Sequence, residues 1–88
     1  MLMGKVVGSV VSTRKNENLV GNKFMIVEVA DHMRQGAEQI IAIDKIGAGI
    51  GEYVLVVQGS AARIGSGMPE APIDAAIVGI IDEGLGLE

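Results

Sequence analysis

The chain has 88 residues, of which 49% are hydrophobic and 2% aromatic, with 13 glycines, no cysteine and a net charge of −4. The lack of cysteine excludes disulfides, thiolate nucleophiles and Cys-based zinc sites, and the single histidine, His32, excludes a cluster of histidine ligands within one chain. The negative charge and the presence of only two aromatic residues, Phe24 and Tyr53, argue against binding to a nucleic-acid backbone and against base stacking.

The apolar segments are short, rich in Val and Ile, and separated by glycine or polar clusters, a pattern typical of strands. In the first segment, Gly8 is expected at a bend or bulge. In the second, Met25, Val27 and Val29 are expected to share one face. The predicted strands cover residues 5–13, 23–30, 39–46, 53–58 and 73–82, with an exposed loop at 31–38, a helical turn at 60–64 and a loop at 65–72.

The fifth segment, 73–82, has two interpretations. Isoleucines at 73, 77, 80 and 81 would line one face of a helix, with Asp74 near its N-terminus. Gly79 and the high Ile and Val content favour a strand instead, and we predict a strand.

Five short strands in a single domain of 88 residues predict a small closed barrel or a sandwich. The segments 54–57 and 77–81 carry aliphatic residues on both faces, whereas an exposed sheet face is normally polar. We therefore expect another subunit to cover the outer face of these strands.

The glycine-rich segment 47–51 invites comparison with phosphate-binding loops. A dinucleotide fingerprint requires a helix after its glycines, whereas here Glu52 and a strand follow, and no Walker lysine is present. We predict a tight connection or a close approach of two backbones. Ser60 and Ser66 lack the context of a nucleophile, and His32 lies in a polar loop. We expect no catalytic residue, no metal, no cofactor and no enzymatic activity.

Arg63 follows two alanines in an apolar neighbourhood. Such a guanidinium often pairs with carboxylates or carbonyls at an interface, and the alternative is a solvated arginine on a turn. No secretory signal is visible, and the uncharged apolar runs are much shorter than the ~20 residues that span a bilayer. We expect a cytoplasmic protein without a membrane partner.

Four segments in order resemble the EutN/CcmL family, the vertex proteins of bacterial microcompartments. The longest is IAIDKIGAGIGEYVLVVQGSAAR at 41–63. GKVVGSVVST at 4–13 resembles the first strand of the family, LVGNK at 19–23 the lead-in to its second strand, and PIDAAIVGIID at 72–82 its closing segment. The resemblance extends from residue 1 to about residue 84, so it covers nearly the whole of the single domain, 1–88.

This resemblance implies an all-β fold, an OB-like five-stranded β-barrel with one short helix that assembles as a cyclic homopentamer. It also implies a structural role, in which pentamers cap the fivefold vertices of a shell tiled by hexameric shell proteins. With Gly51 and Glu52, the sequence looks more like the vertex proteins of catabolic compartments than like those of carboxysomes. The alternative is an OB-like module that binds nucleic acid or a small ligand.

Two groups of residues fall on the signature positions of the family, and we expect them at the subunit interface or around the fivefold axis. Small residues fit that place because five converging chains leave little room for side chains. The residues are Gly47, Ala48, Gly49, Gly51, Glu52, Ser60, Ala61, Ala62 and Arg63.

Overall fold

A computed structural model of the chain describes residues 1–11, 23–34, 38–67 and 73–82. The end of the predicted first strand, part of the loop at 31–38, most of the loop at 65–72 and the family-like segment 19–22 lie outside these ranges. In the described ranges the chain forms five strands, one α-helix and one 3-10 turn. They are β1 (Leu2–Val10), β2 (Lys23–Val29), the 3-10 turn (Asp31–Met33), β3 (Gln39–Asp44), β4 (Tyr53–Gln58), α1 (Ser60–Gly65) and β5 (Ala75–Ile80).

The strands close into a barrel in the order β1-β2-β3-β5-β4. All neighbouring strands are antiparallel except β3 and β5, which pair in parallel through Ile43↔Ala76 and Asp44↔Ile77. The expected five-stranded barrel with one short helix is confirmed. The prediction of a strand for the fifth segment is also confirmed, because β5 pairs with both β3 and β4.

Strand β1 contacts both β2 and β4, and it begins earlier than predicted. It begins at Leu2 rather than at Lys5, because Leu2 pairs with Val56 of β4 and the pairing continues to Lys5. The register with β2 shifts between Val6 and Gly8, which confirms the predicted bulge.

The main core fills the barrel with small aliphatic side chains. Val6, Val54 and Val56 are fully buried, and Met25, Val27 and Val29 all point inwards, as the alternation in the second strand predicted. Burial at every second position follows from the pleat of a strand, whose successive side chains lie on opposite faces.

The helix α1 covers part of the outer surface of the barrel. Ala62 is fully buried and packs with Ile43 of β3, Ala76 of β5, the adjacent Ile73 and Val57 of β4. At Val57 part of the cover comes from the chain's own helix, and the expectation that another subunit covers the outer faces of 54–57 and 77–81 stays a prediction. After Gln58 the chain folds back over the barrel as α1, which a pattern of single strands does not reveal.

The segment 31–38 is only partly the exposed loop that we expected. Asp31 and His32 are exposed, but Asp31–Met33 form a 3-10 turn. Arg34 holds this turn, because its Nε donates to the carbonyl of Val29 at 2.9 Å and its Nη1 lies 2.8 Å from the Asp31 carboxylate. Within the ranges given above, the chain has no helix with the length and apolar character to cross a bilayer.

Candidate subunit-contact surface

The connection from β3 to β4 is shaped first by Asp44, the last residue of β3. Asp44 is only 3% exposed. Its Oδ1 accepts a hydrogen bond from the backbone N–H of Ile46 at 3.0 Å, and its Oδ2 accepts one from Ala48 at 2.9 Å. A carboxylate that accepts from backbone N–H groups two and four residues later folds the chain back on itself, as in an Asx turn.

The second half of the connection is fastened at Glu52 and to β1. Glu52 Oε1 accepts from the backbone N–H of Gly49 at 2.7 Å. Gly51 donates to the carbonyl of Val6 at 2.8 Å, and Val6 donates in return to the carbonyl of Glu52 at 2.9 Å. Gly47 and Gly51 adopt φ values of +87° and +94°, which favour glycine. Of the two predicted alternatives, the tight connection is confirmed, and its bonds to Val6 also bring it close to the backbone of β1.

Two isoleucines project from this fastened loop. Ile50 is 68% exposed and Ile46 is 45% exposed. Neither isoleucine was among the residues predicted for the interface, although the position of Ile50 between two glycines is visible in the sequence. Ala48 behaves differently, since it is buried in the main core of the protomer.

The second group of candidate residues lies on α1. Gly59 precedes the helix with φ +64° and ψ −141°, and its N–H donates to the carbonyl of Asp74 at 2.8 Å. Ser60 and Ala61 are exposed, whereas Ala62 is fully buried against the barrel. Ile64, on the exposed side of the helix, is 73% exposed.

Arg63 bonds within its own chain. Its Nη1 donates to the carbonyl of Ile73 at 3.2 Å, which ties α1 to the segment entering β5. The side chain is half-buried, so it is not the fully solvated turn arginine that was the alternative. The carbonyl partner expected for this guanidinium exists, but it is ten residues away in the same chain. A role for Arg63 between subunits stays a prediction.

A lysine bridges the two groups of candidate residues. Lys45 Nζ donates to the carbonyl of Ser66 at 3.2 Å, which brings the start of the β3–β4 connection against the end of α1. We call this region, residues 45–52 and 60–66, the loop–helix surface. This surface combines projecting apolar side chains, those of Ile46, Ile50 and Ile64, with small residues. In the part of the chain that the structure describes, no three His, Cys, Asp or Glu residues group to hold a metal ion. Such a surface is suited to contact with protein.

Comparison with known proteins places this architecture among shell proteins. A family model described as "Ethanolamine utilisation protein EutN/carboxysome" matches residues 1–82. The chain is 48% identical over 83 residues to "Carboxysome shell vertex protein CcmL" of Synechocystis sp., an alignment that covers 93% of this chain and 83% of the relative.

Solved structures agree with this match. The structure of "Ethanolamine utilization protein, EutN" has a TM-score of 0.86 at 39% identity and covers 97% of this chain and 90% of its own. The "GrpN pentameric microcompartment shell protein from Rhodospirillum rubrum" has a TM-score of 0.78 at 43% identity and covers 94% of each chain.

Proposed function

Because the chain belongs to the EutN/CcmL family, we propose that it forms a homopentamer that caps the fivefold vertices of a bacterial microcompartment shell. The observation that carries this proposal is the match along nearly the full chain to a relative described as a pentameric shell protein. The role is geometric, since a flat hexagonal layer cannot close into a polyhedron without fivefold points. Closed rings of identical subunits are a common form of soluble oligomer.

We infer a structural rather than a catalytic role. The matched relatives are described as shell vertex proteins, which supports this inference. The carboxylates with the clearest contacts, Asp44 and Glu52, accept hydrogen bonds from the backbone of their own loop. Their geometry therefore serves the shape of the loop–helix surface.

The proposed subunit contact uses the exposed part of the loop–helix surface. The loop is fastened by Asp44, by Glu52 and by two backbone hydrogen bonds to Val6, so little conformational entropy is lost when a neighbour docks on it. Ala48 and Ala62 are buried within the protomer and support this surface from beneath. The candidate residues that reach the surface are Gly47, Gly49, Gly51, Glu52, Ser60, Ala61 and Arg63.

The partners proposed beyond the pentamer are hexameric shell proteins. A vertex protein must contact the tiles around it, and this role is supported by the shell context of the relatives. Coexpression with hexameric shell proteins is expected to convert open shells into closed ones, as seen by electron microscopy. Shells that remain equally open with and without this chain would contradict the proposal.

The preference for a catabolic compartment over a carboxysome stays a prediction. Relatives of both kinds match the chain, since one is described as a carboxysome protein and another as an ethanolamine-utilisation protein. The genes next to its own are expected to encode enzymes of a catabolic pathway, and carboxysomal enzymes there would overturn the preference.

A further inference from the structure

A cyclic pentamer needs two unlike surfaces on each protomer. In a ring, every interface is heterologous, so one surface of a subunit meets a different surface of the next. The loop–helix surface supplies only one of the two. We propose that the outward apolar face of β1, β2 and β3, formed by Val7, Ile26 and Ile41 and here called the sheet patch, receives the loop–helix surface of the neighbouring copy. This inference rests on the proposed function.

The sheet patch is one row of outward positions across three paired strands. Gly8 of β1 pairs with Ile26 of β2, and Ile26 pairs with Ile41 of β3. Ile41 is 55% exposed and Val7, in the bulge beside Gly8, is 38% exposed. Contiguous apolar side chains on the solvent-facing side of a sheet are a feature of surfaces that another protein covers.

A polar row borders the patch. Lys5 pairs with Glu28, and Glu28 pairs with Gln39, at the next outward positions of the same three strands. Lys5 and Gln39 are exposed and Glu28 is partly exposed. On this side the patch therefore ends in a polar edge, as the apolar centre of a protein–protein interface does at its rim.

The shape of the patch is set by the bulge and by glycine. Gly8 has no side chain, and Ile26 Cδ1 lies 3.5 Å from the point that a Cβ of residue 8 would occupy, so the two strands are in ordinary contact here. The bulge places Val7 beside Gly8, where the surface of the sheet is low because glycine has no side chain. The sheet patch is therefore a shallow apolar surface, and its shape and polarity are complementary to Ile46 and Ile50, which project from the loop–helix surface.

The two surfaces are formed by different residues of the barrel. Helix α1 packs over β3, β5 and β4, whereas the sheet patch lies over β1, β2 and β3. The loop of the loop–helix surface is bonded to Val6 and therefore borders the patch. Because the two surfaces share no residue, a protomer can contact one neighbour with each, which ring closure requires. A second copy of this chain is therefore the occupant that we assign to the patch.

The first test places a charge in the patch. Ile41→Lys is expected to raise at least tenfold the protomer concentration at which half of the chains are pentameric, measured by native mass spectrometry. Gln39→Lys is the matched control, because it adds the same charge on the same strand and face but in the polar row, and it should remain pentameric. Ile41→Thr, which keeps a β-branched residue, should shift assembly in the same direction and guards against a folding defect.

The second test asks whether the two surfaces meet each other. Ile50→Glu should also lose the pentamer, because it places a charge on the loop–helix surface. An equimolar mixture of Ile41→Lys and Ile50→Glu should then form dimers, since the intact loop–helix surface of the first fits the intact sheet patch of the second. A mixture that stays monomeric over the concentrations at which the wild type is pentameric would overturn the pairing.

The outcomes separate this inference from the proposed function. If the wild type is pentameric and Ile41→Lys assembles like Gln39→Lys, the sheet patch lies outside the subunit interface and only the inference fails. That result would indicate another occupant, such as a different shell protein. If the wild type itself forms no pentamer, the proposed function fails.

Discussion

Replacing Gly4 with alanine tests how tightly the barrel closes. Gly4 lies in β1, where it pairs with Val29 of β2 on one side and with Val54 of β4 on the other. A Cβ at this position would lie 2.5 Å from Val27 Cγ1 and 2.6 Å from the backbone carbonyl oxygen of Glu28. Both distances are well inside van der Waals contact, so the substitution must move neighbouring atoms.

The neighbours of Gly4 have little freedom to move. Val27 is 1% exposed and belongs to the main core, and the Glu28 carbonyl is part of the backbone of a paired strand. Overpacking of a filled core typically costs about 1–3 kcal/mol. Because one contact is with backbone, we expect Gly4→Ala to lower the unfolding free energy by about 2–3 kcal/mol. For a domain of this size, such a loss lowers Tm by roughly 10–20 °C.

The measurement is thermal and chemical denaturation followed by circular dichroism, at one fixed protomer concentration because assembly contributes to apparent stability. Gly79→Ala is the matched control in β5, where a Cβ would lie 3.7 Å from Leu55 Cβ, an ordinary contact. The control should change the unfolding free energy by less than about 0.5 kcal/mol. Equal stability of Gly4→Ala and wild type would refute the closeness of β1 and β2.

Substitutions at three positions, Asp44, Gly59 and Arg63, probe the loop–helix surface and the residues that flank it. Asp44→Ala removes the acceptor of two backbone N–H groups and should cost roughly 2–4 kcal/mol in denaturation, whereas Asp44→Asn, which keeps one carbonyl oxygen, should cost less; equal losses would contradict the two-bond role. Gly59→Ala should cost about 1–3 kcal/mol through backbone strain, because among the described residues no atom beyond its chain neighbours lies within 4 Å of its Cβ position. An unchanged Tm would contradict that strain. Arg63→Ala should weaken the pentamer, as measured by native mass spectrometry, while the strand signal in circular dichroism is unchanged. Unchanged assembly at micromolar concentration would show that Arg63 acts only within its own chain, through its hydrogen bond to Ile73.

Local pattern was enough to predict most strands, because their signal is carried by neighbouring residues. Met25, Val27 and Val29 alternate with partly exposed residues, and all three point into the barrel. The early start of β1 was not predictable in this way, since Leu2 joins the sheet by pairing with Val56, more than fifty residues later. The ambiguity of the fifth segment had the same cause, because only the pairing of β5 with β3 and β4 selects a strand.

The candidate surface was predicted in place but not in detail. The glycines at 47–51 indicated a tight connection, and positive φ at Gly47 and Gly51 accounts for them. The role of Asp44 was missed because an aspartate at the end of a strand is common, and the backbone N–H groups that donate to it depend on how the following backbone turns. A carbonyl partner for Arg63 was among the expectations, but its identity as Ile73 was not predictable, because only the packing of α1 brings the two residues together.

Five copies of this chain are expected to close into a ring. Native mass spectrometry of the full chain at micromolar concentration tests this assembly most directly, since the mass counts subunits. The expected result is a dominant species of five times the 9.1 kDa protomer mass. A stable monomer or dimer under all conditions would contradict it.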